Sequence, residues 1–99
     1  MASESLNVLL DRVNSEESLL VFIAALAKDR RDAVAAEKNN LSSPFGPDAG
    51  GWQNTSIEDF LESAGAWAEE TDFGLTQGLP PENLWKRFAV FLYLGKIHE

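Results

Sequence analysis

The chain's histidine, carboxylates and tryptophans are the groups that could do chemistry, and their spacing limits what that chemistry can be. The one histidine, His98, is the penultimate residue, where a helix end frays and an imidazole is poorly oriented for general-base work. With no cysteine present, disulfides and thiolate nucleophiles or metal ligands are excluded. No serine sits in a recognisable nucleophile elbow. Carboxylates are plentiful, but Glu58, Asp59, Glu62, Glu69 and Glu70 follow one helical stretch instead of facing each other across a cleft. EF-hand spacing is absent too. The expected role is therefore non-catalytic, with no metal and no cofactor.

The same carboxylates point to binding. Net charge is −8, and its distribution is uneven. Residues 1–38 hold seven acids and five bases, and residues 83–99 hold one acid and three bases. Residues 39–82 hold eight acids and no Lys or Arg. On a helix, Glu58, Glu62 and Glu69 share one row and Asp59 with Glu70 the next, so like charges lie one turn apart. A helix chosen for stability alone would intersperse lysines, and such a local conflict points to function. This field disfavours nucleic acid or an anionic membrane surface and favours a basic protein. The plainer explanation is a solvated face that keeps the protein soluble.

Three tryptophans, Trp52, Trp67 and Trp85, are many for this length. Trp67 and Trp85 fall on apolar helix faces and are expected in the core, where truncation to alanine costs about 3–5 kcal/mol. Trp52 follows two glycines, and two readings stand for it. It is either a plug folded against the start of the next helix, with Asn54 hydrogen bonding in the turn, or an exposed anchor for a partner. Arg30 projects near the centre of an apolar stripe, with Asp29 at its edge. Either the helix leaves the core there and the Arg stem snorkels, or one of the two is partly buried and orients another segment by hydrogen bonds.

The elements that would position these groups are helices. Residues 4–13 place Leu6, Leu9, Leu10 and Val13 at helical spacing. A second helix over 15–37 carries the stripe Leu19, Phe22, Ile23, Leu26, Ala33 and Val34, a Lys28–Asp32 pair, and a capping box of Asn14 with Glu17. Residues 39–52, rich in Gly, Pro, Ser and Asn, read as a loop. Its glycines are not a phosphate cradle, and the sequons at Asn40 and Asn54 read as chance. A third helix over 55–72 opens on a Thr55–Glu58 capping box and turns Ile57, Phe60, Leu61, Ala64, Trp67 and Ala68 to one face. Gly65 weakens it and would let another helix approach. The stretch Leu84–Ile97, apolar nearly all round, reads as a largely buried final helix over 81–97 with its prolines in the first turn. Its Lys86, Arg87 and Lys96 are placed to neutralise part of the acidic helix.

No stretch alternates with a period of two, so the fold class is all-α, a four-helix compact domain. Ninety-nine residues, 44% apolar with ten aromatics, suit one domain with a packed core. The start lacks a secretory signal and the last helix is too short and charged to span a bilayer, so a cytoplasmic protein is expected.

The residues Trp52-x-Asn54-Thr55-x-Ile57-Glu58-Asp59-Phe60-Leu61, then Trp67, Trp85 and Gly95-Lys96-Ile97-His98-Glu99, resemble the pattern of a family of small bacterial helical domains of unknown function. Leu26-x-x-Asp29 matches that family's earlier Leu-x-x-Asp element. The resemblance covers roughly residues 15–99 and implies no activity or catalytic residue. His98 departs from it, standing where an aromatic such as tyrosine is expected. The functional expectation is an interaction domain of the immunity or antitoxin type, with Glu58, Asp59, Glu62, Glu69 and Glu70 facing a basic protein. A small ligand-binding or hydrolytic domain with a pocket near Trp52 and Asn54 is the alternative. A homodimer using leftover apolar area on the last helix is a third.

Overall fold

A computed structural model describes residues 5–39 and 51–98. The expected loop over 39–52 and the Asn40 sequon fall almost wholly outside those residues. The described chain folds as four helices, with no strand among the described residues: α1 (Leu6–Asp11), α2 (Glu16–Asn39), α3 (Ile57–Thr71) and α4 (Leu84–Ile97).

α2 and α3 are each capped one residue later than expected. At α2 the Ser15 hydroxyl accepts from Ser18 N at 3.2 Å, while Ser18 Oγ accepts from Asn14 N and Ser15 N. The reciprocal cap is thus Ser15 with Ser18, not Asn14 with Glu17. At α3 the N-cap is Ser56, whose Oγ accepts from Asp59 N at 3.1 Å. Thr55 is displaced because Gln53 N and Asn54 N are already bonded to Lys96 O, which sets where the chain can turn into the helix. Changing Ser56 to Ala is expected to cost about 1 kcal/mol, and changing Thr55 to Ala only a few tenths. Chemical denaturation of the two variants separates these outcomes.

The core is built from Val13, Leu19, Phe22, Leu26, Ala33, Trp52 and Ala89, with Phe60, Leu92 and Tyr93 packed against it. On α2 the buried positions 19, 22, 26 and 33 alternate steps of three and four, and Asp29 falls on that same line. Val34, expected in the stripe, is exposed. The Lys28–Asp32 pair forms at 2.7 Å on the wet side.

α3 lies mainly on α4. It buries Ala64, Trp67 and Thr71 and leans Phe60 inward. Ile57 and Leu61 were expected on this face but are 78% and 57% exposed. They fall at the edge of the buried strip, roughly 60–100° round from Phe60. After α3, Asp72, Phe73 and Gly74 all take positive φ. Gly74 N donates to Thr71 Oγ1, and a Cβ on Gly74 would run into Leu79. The 3-10 turn that follows brings Gln77 Oε1 to Trp67 Nε1 at 2.9 Å. Trp67 is 2% exposed, the core position expected for it.

Asn83 caps α4, which starts at Leu84 and leaves both prolines ahead of its first turn. Its Oδ1 accepts from Lys86 N and its Nδ2 donates to Val13 O, tying α4's start to the α1–α2 junction. Pro80 and Pro81 lie in the turn ahead, closed by Asn83 N to Pro80 O. From Ala89 onward α4 buries Ala89, Gly95 and Lys96 and half-buries the rest, whereas Leu84, Trp85 and Phe88 at its start are exposed. Trp85 is therefore not a core residue. Among the described residues no helix is long and apolar enough to cross a membrane.

Candidate functional site

Two sets of residues emerged as candidates, and they occupy different environments. The first gathers at the C-terminal end of α4. Trp52 is 4% exposed, so it is a plug and not an exposed anchor. Its indole Nε1 donates to Asp29 Oδ2 at 2.9 Å, and its ring stacks on Phe60 at 6.3 Å between centroids. Lys96 Nζ, on the buried side of α4, reaches the same Asp29 oxygen at 2.7 Å. The Lys96 ammonium and the Arg30 guanidinium lie 5.4 and 5.3 Å from the Trp52 ring centroid, within cation–π range.

Asn54 completes the cluster. Its Nδ2 donates to Gly95 O at 3.0 Å and to His98 O at 2.7 Å, while its own N–H and that of Gln53 share Lys96 O. These bonds satisfy carbonyls that the end of a helix otherwise leaves without partners. Gly95 matters because Phe60 lies directly above it: a Cβ there would come within 2.7 Å of Phe60 Cε2. Close approach thus occurs at Gly95, whereas a Cβ at Gly65 would meet nothing within 4 Å. Asp29 carries the orienting role considered for the Asp29–Arg30 pair. The signal in the sequence was its place on the 19–22–26–33 line.

Chemically this cluster is a clamp. A cavity of about 320 Å³ adjoins it, lined by Leu26, Arg30, Trp52, Asn54, Phe60 and Leu92 among others. The volume is at the low end for ligand pockets, which also need convergent polar groups. Here the polar atoms of Asp29, Asn54 and Lys96 already hold the α4 end. His98 caps α4 beside the clamp, with Nε2 3.8 Å from Glu70 Oε2. Among the described residues no three of His, Asp or Glu gather closely enough to hold a metal ion.

The second set is the outer side of α3. Glu58, Asp59, Glu62, Glu69 and Glu70 are all exposed. Round the helix the order runs from the buried Phe60–Ala64–Trp67 strip to Ile57 and Leu61, then to Glu58, Glu62 and Glu69, then to Asp59 and Glu70. The exposed apolar pair therefore borders the acidic row. The α4 bases do not neutralise that row as expected. Lys96 goes to Asp29, Arg87 Nε and Nη2 go to Phe73 O and Asp72 O, and Lys86 Nζ approaches Asp11 O.

A model for a family of unknown function, DUF7660, matches residues 15–99. The chain belongs to that family. No curated protein and no solved structure matches it. The DUF7660 match begins at Ser15, the residue whose hydroxyl opens α2. It spans both residue sets, the clamp at Asp29, Trp52, Asn54 and Lys96 and the acidic row on α3. α1 lies ahead of the DUF7660 match, although Leu6, Leu9 and Leu10 pack against the core.

Proposed function

We propose that this chain is a non-catalytic interaction domain that binds a basic protein through the outer side of α3, in the manner of an immunity or antitoxin-type inhibitor. One observation carries the reading: five exposed acids run along α3 beside the exposed pair Ile57 and Leu61, while the bases of α4 are engaged elsewhere. Like charges at one-turn spacing cost the helix a few tenths of a kcal/mol each. A basic partner offsets that cost on binding and is steered to the face by its field. Ile57 and Leu61 give the contact an apolar strip, whose removal from water adds to the charge attraction.

The alternative of a ligand-binding or hydrolytic domain near Trp52 and Asn54 has a cavity in its favour but not the chemistry. The polar groups beside that cavity hold the helix ends together. The test is affinity capture from the native host with the full chain and with E58Q/E62Q/E69Q. The wild-type chain is expected to retain a basic protein in a salt-sensitive manner, and the triple variant to lose it. Identical captured proteins with identical salt dependence contradict the proposal.

A further inference from the structure

We propose that Gly65 is where a helix of the basic partner comes closest to α3, an inference that rests on the reading of α3 as the contact face. A glycine inside a helix lowers stability relative to alanine, because its backbone gives up the most freedom on folding. Nothing within the chain accounts for this one. Gly65 is not among the glycines with positive φ. It is half-buried, yet there is open space where its Cβ would stand, with no atom within 4 Å. Gly95, the other glycine inside a helix, differs, because Phe60 would lie 2.7 Å from its Cβ. Gly65 thus breaks a local rule with no gain inside the fold, and such conflicts mark functional positions.

Its place on α3 shows what the gap faces. With Phe60 taken as zero, Leu61 lies about 100° round, Gly65 about 140°, and Glu58, Glu69 and Glu62 about 160–200°. Gly65 therefore separates the exposed apolar pair Ile57 and Leu61 from the acidic row. Along the axis it stands between Glu62 and Glu69. An element approaching there meets backbone, with a carboxylate on either side and an apolar edge beside it.

Charge and spacing select the occupant. Positions 58, 62, 65 and 69 step four, three and four residues, which is how the rows on a second helix also repeat. A partner helix with Lys or Arg one and two turns apart can pair with Glu58, Glu62 and Glu69. Packed helices lie about 8–10 Å apart, depending on the side chains at the contact, and a glycine permits the short end of that range. That approach brings the bases within reach of the carboxylates and covers Leu61.

Surface plasmon resonance of the full chain with the purified basic protein that it retains tests this, beside thermal melts. Gly65→Ala is expected to melt about 4–8 °C above the parent, and Gly65→Gln no lower than the parent. Both keep the charge of the row, so their association at low salt should stay within about twofold of the parent. Gly65→Gln is expected to dissociate at least about tenfold faster and Gly65→Ala about threefold faster, because the added side chain holds the partner helix off α3. E58Q/E62Q/E69Q instead slows association. Slow association of that triple variant, with parent-like dissociation of Gly65→Gln, overturns the inference and leaves the acidic reading standing. A parent that retains no basic protein, or a triple variant that associates like the parent, overturns both. A Gly65→Ala chain that melts below the parent shows that the fold itself needs the glycine, which also overturns the inference.

Discussion

Replacing Asp29 with alanine is expected to destabilise the fold by about 3 kcal/mol, the lower part of the range for breaking a buried ion pair from one side. Asp29 accepts from both Trp52 Nε1 and Lys96 Nζ through the same oxygen. Lys96 is only 7% exposed, so its ammonium would be left without the carboxylate that compensates its burial. The figure sits low in the range because the Asp29 side chain keeps 31% of its surface in water. For a chain of this size the loss corresponds to a melting point lower by roughly 12–24 °C. Lys96→Met should cost less, because it removes the buried charge and keeps most of the apolar stem. The double variant should therefore be more stable than the sum of the two losses implies, with a coupling of about 1–2 kcal/mol. Thermal melts of the four chains measure it, and strict additivity would show that the pair does not hold the clamp.

The second large effect separates two tryptophans that look alike in the sequence. Trp52→Ala is expected to cost about 3–5 kcal/mol, as for a large side chain removed from a core. It takes away the Phe60 stack, the bond to Asp29 and the ring under Arg30 and Lys96. Trp85→Ala should cost under about 1 kcal/mol, because its side chain is 43% exposed. Urea denaturation of both variants decides the matter. Equal losses would mean that Trp85 is covered in the working protein.

Much of this architecture is legible in the sequence, for identifiable reasons. The periodic stripes on α2 and α3 are long enough to specify helices, and of the two readings open for Trp52 its burial against Asp29 and Phe60 selects the plug, with Asn54 beside it. What stays hidden depends on partners distant in the chain. Ser56 replaces Thr55 as cap because Lys96 O holds the preceding turn. Gly95, not Gly65, admits a neighbour because Phe60 happens to lie over it. Asp29 lies on the line of positions 19, 22, 26 and 33 and makes the orienting hydrogen bonds, while Arg30, also half-buried, lies over the Trp52 ring. Ile57, Leu61 and Trp85 carry apolar character to faces that no described element covers, and periodicity has no way to distinguish a covered apolar face from an open one.

This distribution separates the work of the two residue sets. Trp52, Asn54, Asp29 and Lys96 secure the end of α4 against α2 and α3. The acids of α3 are open to solvent, with Glu70 reaching the His98 imidazole at 3.8 Å. The measurement that bears most directly on this division is the association rate between the chain and the basic protein it captures, followed across ionic strength. Docking through the acidic row predicts a rate for E58Q/E62Q/E69Q at least about tenfold lower at low salt, with a much flatter salt dependence. Equal rates and equal salt slopes for the two chains would contradict it.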